Sequence, residues 1–257
     1  MNILFLGDVV AKSGREAVLR QLGSLKEEYS ADFTIVNAEN AAHGKGITPK
    51  IYSSLIKAGA DVITLGNHAF SKKEMIQEID TCSFMVRPVN MEPTEAGNII
   101  VIRRFKDLRI AVVNILGKAF MSGITDDPIP AMEKLLPQIR ADIIIVDYHG
   151  EATSEKMMFT KYFSSRVTAV IGTHTHVQTA DERIIDGCAF ITDAGMCGAY
   201  DSILGRDSSE VMQHMIEGKL TSYTPAGGPA VISGCLITVD EETCRAVSIR
   251  RIQKRPA

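Results

Sequence analysis

Short runs of apolar, β-branched residues alternate along the chain with stretches whose apolar positions recur at helical spacing. Ile3–Leu6, Phe33–Val36 and Val62–Leu65 read as strands. Between the first two, Val18, Leu22, Leu25 and Tyr29 return every three or four residues, predicting a helix from about Gly14 to Tyr29. Thr48-Pro49 opens a further helix, with Thr as N-cap and Pro at the first helical position, and Lys72–Ile79 reads as a short one. Asn98–Phe105 and Leu108–Leu116 predict an antiparallel pair turning at Lys106-Asp107. Asp127-Pro128 starts a helix with Ile129, Met132, Leu136 and Ile139 on one face. Ile143–Val146 is a wholly apolar strand, followed by a helix to about Ser164 and a strand at Val167–Ile171. Beyond it, Glu182–Ile185, Ala189–Thr192, Ala230–Val239 and Ala246–Ile252 read as strands around one helix near Ser208–Glu217.

Strands that are apolar throughout and lead into helices predict sheet covered on both faces. The β-rich last third predicts a second sheet, so the expected class is a layered α/β protein of mixed sheets. No linker, low-complexity tract or repeat divides the chain, which predicts one domain over residues 1–257. Apolar residues at 45% and charged residues at 23% exclude disorder or coiled coil as a description of the whole. A net charge of −3 lacks the basic footprint of a protein that wraps extended nucleic acid. It still admits a small phosphate-bearing substrate, because a bound metal can supply positive charge locally. The N-terminus has no signal-peptide pattern, and the longest uncharged stretch, Leu220–Val239, is broken by polar residues, Pro and Gly. Five cysteines without a C-x-x-C pair predict reduced, buried thiols rather than a disulfide framework or thiolate zinc site. These features predict a cytoplasmic protein with no membrane span, and leave a homo-oligomer open.

The strand ends carry the chemistry. Asp8 ends the first strand; Glu39 and Asn40 follow the second; Asn67 and His68 follow the third; His149 follows Ile143–Val146; His174 and His176 follow Val167–Ile171. Ligand sites of α/β sheets collect beyond the carboxyl ends of strands, and glycines beside these positions suit sharp turns there. Four of the six histidines fall in this set. Carboxylate, amide oxygen and imidazole without thiolate suit manganese, iron, zinc or similar ions. Three imidazoles, two carboxylates and one or two amides exceed one tetrahedral ion and suit two metals sharing a carboxylate. His43, in Ala42-His43-Gly44-Lys45-Gly46, reads either as a substrate contact or as part of a Gly-rich loop, and Lys45 could meet a phosphate. His214, within the last helix, reads as structural or surface. No G-x-G-x-x-G follows the first strand and no G-x-x-x-x-G-K-[ST] or G-x-S-x-G occurs, which removes dinucleotide, P-loop and serine-hydrolase readings.

The order Gly-Asp, carboxylate, Gly-Asn-His, His, Gly-x-His-x-His resembles the calcineurin-like metallophosphoesterases. The fuller strings Asn37-Ala38-Glu39-Asn40-Ala41-Ala42-His43-Gly44-Lys45-Gly46, Tyr148-His149-Gly150-Glu151-Ala152-Thr153 and Gly172-Thr173-His174-Thr175-His176 resemble the bacterial YmdB-like branch. The resemblance runs from Met1 to about Ile252 and implies two stacked mixed sheets flanked by helices in an αββα order. It implies hydrolysis of 2′,3′-cyclic nucleotides at the 2′ bond by two transition-metal ions, iron foremost and manganese as the alternative. Asp8, Glu39, Asn40 and His176 would hold one metal, Glu39, Asn67, His149 and His174 the other, and His68 would donate the proton. The substrate would be a small phosphodiester. Related readings are a broader phosphodiesterase or phosphomonoesterase, and a regulatory metal-binding protein. Three departures from the wider superfamily stand out: Val10 replaces the histidine of Asp-x-His, Glu39 replaces the bridging Asp, and Ala69 replaces the acid after Gly-Asn-His.

Overall fold

The computed structural model describes residues 1–93 and 95–256. In chain order the elements are β1 (Asn2–Leu6), β2 (Asp8–Val9), α1 (Ala11–Glu28), β3 (Phe33–Asn37), α2 (Pro49–Lys57), β4 (Val62–Thr64), α3 (Lys73–Glu78) and β5 (Met85–Val86). There follow β6 (Ile100–Phe105), β7 (Leu108–Leu116), α4 (Pro128–Leu135), β8 (Ile143–His149), α5 (Thr153–Phe163) and β9 (Ala169–Thr173). The chain closes with β10 (Arg183–Ile185), β11 (Cys188–Ile191), β12 (Met196–Ala199), α6 (Ser208–Glu217), β13 (Ala230–Val239) and β14 (Ala246–Lys254).

Two mixed sheets lie face to face. One has the order β2-β12-β13-β1-β3-β4-β5, with β14 added to β13; the other runs β10-β11-β9-β8-β7-β6. β1, β3, β4 and β5 are mutually parallel, as are β7, β8, β9 and β11. Alternation along the strands sorts side chains between layers. Ile3 and Phe5 of β1 pack with Ile110, Val112, Ile143 and Ile145 of the other sheet, forming the core between the sheets. Leu4 and Leu6 turn the other way, onto Val18, Leu22 and Leu25 of α1. Ala111, Val113, Val146 and Tyr148 meet Met132, Phe159 and Phe163 of α4 and α5. The layers are therefore helix, sheet, sheet, helix, which is the expected class.

The strand reading needs three corrections. The C-terminal strands do not form a sheet of their own. β10 and β11 extend the second sheet beside β9, while β12, β13 and β14 extend the first beside β1. β13 reaches β1 because its register, Asn2 opposite Thr238 to Leu6 opposite Gly234, fills the edge that β3 leaves open. β8 continues to His149, so that histidine ends the strand instead of following it. Three short strands, β2, β5 and β12, lack a periodic signal of their own. Thr48 caps α2 as expected, accepting from the Ile51 amide at 3.2 Å. Among the described residues the cysteines are all free, and no helix is long and apolar enough to cross a membrane.

A buried ion pair ties α5 to the loop after β11 and, through it, to the loop after β9. Lys156 Nζ lies 3.1 Å from Asp193 Oδ2 and donates to the Thr173 carbonyl at 2.8 Å, with both charged side chains fully buried. Asp193 also accepts from the amides of Thr175 and Gly195, each at 2.9 Å. Removing one partner leaves an uncompensated buried charge, which costs about 3–5 kcal/mol. Lys156→Met is therefore expected to lower the melting temperature by about 10 °C. Adding Asp193→Asn, which removes the stranded charge, should recover part of that loss. An unchanged melting temperature in Lys156→Met would show that the pair does not hold this loop.

Candidate metal centre

Parallel strands of both sheets end at one rim of the molecule, and the predicted donors meet there. Close approach depends on two glycines. A Cβ at Gly7 would run into the Gly195 carbonyl, and one at Gly66 would fill the gap between the Glu39 carboxylate and the His149 ring.

Glu39 is the shared partner and is 1% exposed. Its Oε1 lies 3.1 Å from His149 Nε2 and accepts from the Asn40 amide at 2.9 Å, while Oε2 accepts from the His68 backbone amide at 3.1 Å. On one side are His149, His174 and Asn67. Asn67 Oδ1 is 3.0 Å, and His174 Nδ1 3.1 Å, from the same His149 Nε2. On the other side are Asp8, Asn40 and His176. His176 Nε2 is 3.2 Å from the Asn40 amide nitrogen and 3.9 Å from Asp8 Oδ1. The His174 backbone amide donates to Asp8 Oδ2 at 3.1 Å.

The outer nitrogen of each ring has a partner that sets its tautomer. Thr173 Oγ1 donates to Asp147 Oδ1 at 2.6 Å, so its hydroxyl receives the His149 Nδ1 proton at 2.9 Å. His174 Nε2 lies 3.2 Å from Glu151 Oε2, and His176 Nδ1 donates to the Leu204 carbonyl at 3.0 Å. Each imidazole then turns its other nitrogen inward. Such outer partners orient metal-binding histidines and raise their basicity.

This arrangement fits a bound cation. His149 Nε2 and His174 Nδ1 lie 3.1 Å apart, beside the Glu39 carboxylate, close enough together to share one ion. Ligand atoms of Glu39, His149 and His174 all lie within 4.8 Å of one another. Asp8 Oδ1 is buried without a hydrogen-bond partner among the described residues. The Asn40 amide, turned about one bond, offers an oxygen where it now offers nitrogen. Nitrogen and oxygen donors without sulfur match a divalent transition metal.

Without a cation the charges compensate one another. Burial pushes the Glu39 carboxyl up, but the His149 imidazole outweighs it and holds the group at about 2. Burial likewise pulls His149 down, and Glu39 overrides that and lifts it to about 9. Burial drives His174 down to about 3, helped by His149, and raises the Asp8 carboxyl. Burial also pulls His68 below the ordinary histidine range.

Eight of the nine predicted residues, all except His43, meet at this rim. His68 is half-buried, lines the cleft with Lys45, His174 and His176, and makes no ring hydrogen bond among the described residues. His43 is exposed and lines two neighbouring grooves instead. Five residues that touch or line the centre escaped sequence reasoning: Asp147, Thr173, Glu151, Arg206 and Tyr223. Asp147 and Thr173 flank His149 and His174 in the chain, which is the one signal that pointed to them. Arg206 and Tyr223 come from a segment with no motif.

Two outcomes test this geometry. Thr173→Val removes the acceptor for His149 Nδ1, and metal affinity is expected to fall about 10–100-fold, read by competition with a metal indicator. In chelator-treated protein, His149 has a folded-state value of about 9 against an unfolded one of about 6.5. Its contribution to stability is then complete below pH 6.5 and lost as the pH rises through 9. Melting temperatures of chelated protein should decline across that window, and metal-loaded protein, in which His149 is held neutral, should lack that decline. A flat profile in chelated protein would remove the Glu39–His149 ion pair.

Comparison with known proteins places the chain in a family. The family model described as YmdB-like protein matches residues 4–252. The 2′,3′-cyclic-nucleotide 2′-phosphodiesterase of Bacillus subtilis (strain 168) is 45% identical over 98% of this chain and 96% of its own. The crystal structure of a novel phosphatase from Mycoplasma pneumoniae superposes with a TM-score of 0.94 at 34% identity, covering 99% of this chain and 93% of that one. A hypothetical protein from Thermus thermophilus gives a TM-score of 0.93 at 35% identity, with 100% of both chains covered. With a family match over nearly its whole length, this chain belongs to the YmdB-like family.

Proposed function

We propose that this protein hydrolyses 2′,3′-cyclic nucleotides at the 2′ bond to give 3′-nucleotides, using two transition-metal ions. The observation that carries the reading is the pair of donor sets meeting on the buried Glu39 carboxylate, in a chain 45% identical to a relative named for that activity. Asp8, Glu39, Asn40 and His176 hold one ion; Glu39, Asn67, His149 and His174 hold the other. Iron is the first choice for both, with manganese as the alternative. Bound there, the ions supply a hydroxide-like nucleophile at neutral pH and polarise the phosphoryl oxygens.

The protein's own residues do the remaining work. His149, His174 and His176 are turned toward the ions by Thr173, Glu151 and the Leu204 carbonyl. His68 is tied to Glu39 through its backbone amide, while its ring stays free in the cleft. A ring in that position gives its proton to the departing ribose O2′, a contribution on the order of 10²–10⁴-fold.

His68→Ala is expected to keep its metal content and lose turnover by about that factor. With 2′,3′-cyclic AMP as substrate, chromatography should show 3′-AMP as the product. A predominance of 2′-AMP, or preference for 3′,5′-cyclic AMP or a nitrophenyl monoester, would replace this reading with a broader phosphoesterase. A metal-loaded, fully active His68→Ala protein would remove the proton donor.

A further inference from the structure

One wall of the cleft comes from a part of the chain that carries none of the predicted ligands. The turn at residues 203–207 and the segment 223–226 run side by side. The Asp207 amide donates to the Thr224 carbonyl and the Ala226 amide to the Gly205 carbonyl, both at 2.9 Å. Arg206 and Tyr223 project from these strips into the cleft that His68, His174 and His176 line.

Arg206 is held on its face and on one edge. Its Cζ lies 4.8 Å from the centroid of the Tyr223 ring, and Nη2 is 2.6 Å from Glu210 Oε1. Glu210 is itself fixed, since its Oε2 accepts from the Thr224 amide at 2.5 Å. The Tyr223 ring rests against Gly44, where any Cβ would run into it. Despite this support the guanidinium is not satisfied: no hydrogen bond occupies Nη1 among the described residues, the buried Nε likewise lacks an acceptor, and the side chain keeps 29% of its exposure. Lys45, near the same ring at 5.8 Å, has no ion pair among the described residues. The other charged side chains lining the cleft are the carboxylates of Glu39 and Glu151. A planar donor fork with spare N–H capacity, locked in place beside lone-pair donors, matches a tetrahedral oxyanion, which guanidinium binds in paired fashion.

We propose that Arg206 is the oxyanion clamp of this site, receiving non-bridging phosphoryl oxygens of the substrate, with Tyr223 as its platform and Glu210 as its anchor. The clamp rests on the phosphodiesterase reading for the identity of its substrate, but the binding of a phosphoryl oxyanion tests it separately. Hydrogen bonds between charged groups of this kind correspond to a loss on the order of 10- to 100-fold when one partner is removed.

The test uses manganese-loaded full-length protein and inorganic phosphate as the probe, with affinity measured by calorimetry. Arg206→Ala is expected to bind phosphate on the order of 10- to 100-fold more weakly, with metal content and melting temperature unchanged. Its kcat/KM for 2′,3′-cyclic AMP should fall at least as far, and added guanidinium should restore part of both. Arg206→Lys keeps a charge but not the fork and should recover little; Glu210→Gln should show a smaller loss of the same kind. Phosphate affinity within about twofold of wild type in Arg206→Ala would overturn the clamp. So would a loss of bound metal in proportion to the loss of phosphate, because Arg206 would then serve only the metal centre. Wild-type protein that binds phosphate through Arg206 yet turns over no cyclic nucleotide would keep the clamp and reject the substrate reading.

Discussion

A carboxylate buried as deeply as Glu39 must be compensated, and the surrounding structure is organised around that requirement. Its two oxygens are shared among His149, Asn40 and the His68 amide, so one side chain joins the two donor sets. Compensation by protein alone is incomplete. Asp8 Oδ1 has no hydrogen-bond partner among the described residues, and the inner nitrogens of His149 and His174 crowd to within 3.1 Å of each other. Ions placed there would satisfy all of these groups together. The same argument explains why the donors sit at the rim of a rigid double sheet: strand ends fixed by a packed core can hold groups in positions they would otherwise avoid.

The rigidity comes from contacts between the layers rather than within any one of them. Thr173 links the strand bearing His149 to the loop bearing His174, through Asp147 beneath. Asp147 is fully buried, and burial lifts its carboxyl to about 6 against the pull of His149 and of hydrogen bonds from Thr173 and Asn37. Asn37, at the end of β3, donates to Asp147 at 2.8 Å and to the Leu65 carbonyl at 3.0 Å, joining the two sheets directly below Glu39. Lys156 and Asp193 then pin the same loop from the helix side. Asp193 also steadies Gly195, whose carbonyl accepts from the Asp8 amide at 3.0 Å. Ligands from distant parts of the chain thus rest on one continuous polar network between the apolar layers.

Much of this was legible in the sequence, and the physical reason is plain for each part. Runs such as Ile143–Val146 and Ile3–Leu6 are apolar on both faces because both faces are covered, so they announced themselves as strands. The donors were legible because they cluster at strand ends beside glycine. The two-residue strands β2 and β5 were not, since their pairing is dictated by neighbours and leaves no periodic trace. The fate of the C-terminal strands was equally hidden: alternation tells which residues face a core, not which of two cores. Arg206 and Tyr223 reach the cleft only because two irregular segments lie side by side, a long-range contact that local pattern does not encode.

The departures from the wider superfamily become coherent in the folded chain. Val10, in place of a ligand histidine, is 1% exposed and packs against Gly198 and Gly205, where a bulkier polar ring would have no room. Asn40 lies close by, and its backbone carbonyl accepts from the Ala11 amide at 2.9 Å, which anchors it to the start of α1. Ala69, in place of an acid, is fully buried in the core that also contains Leu65 and Met75. A carboxylate there would be desolvated and would draw the His68 ring inward. With alanine in that place, the ring has no fixed partner among the described residues, which is the condition a side chain needs if its proton is to go to the substrate rather than remain within the protein.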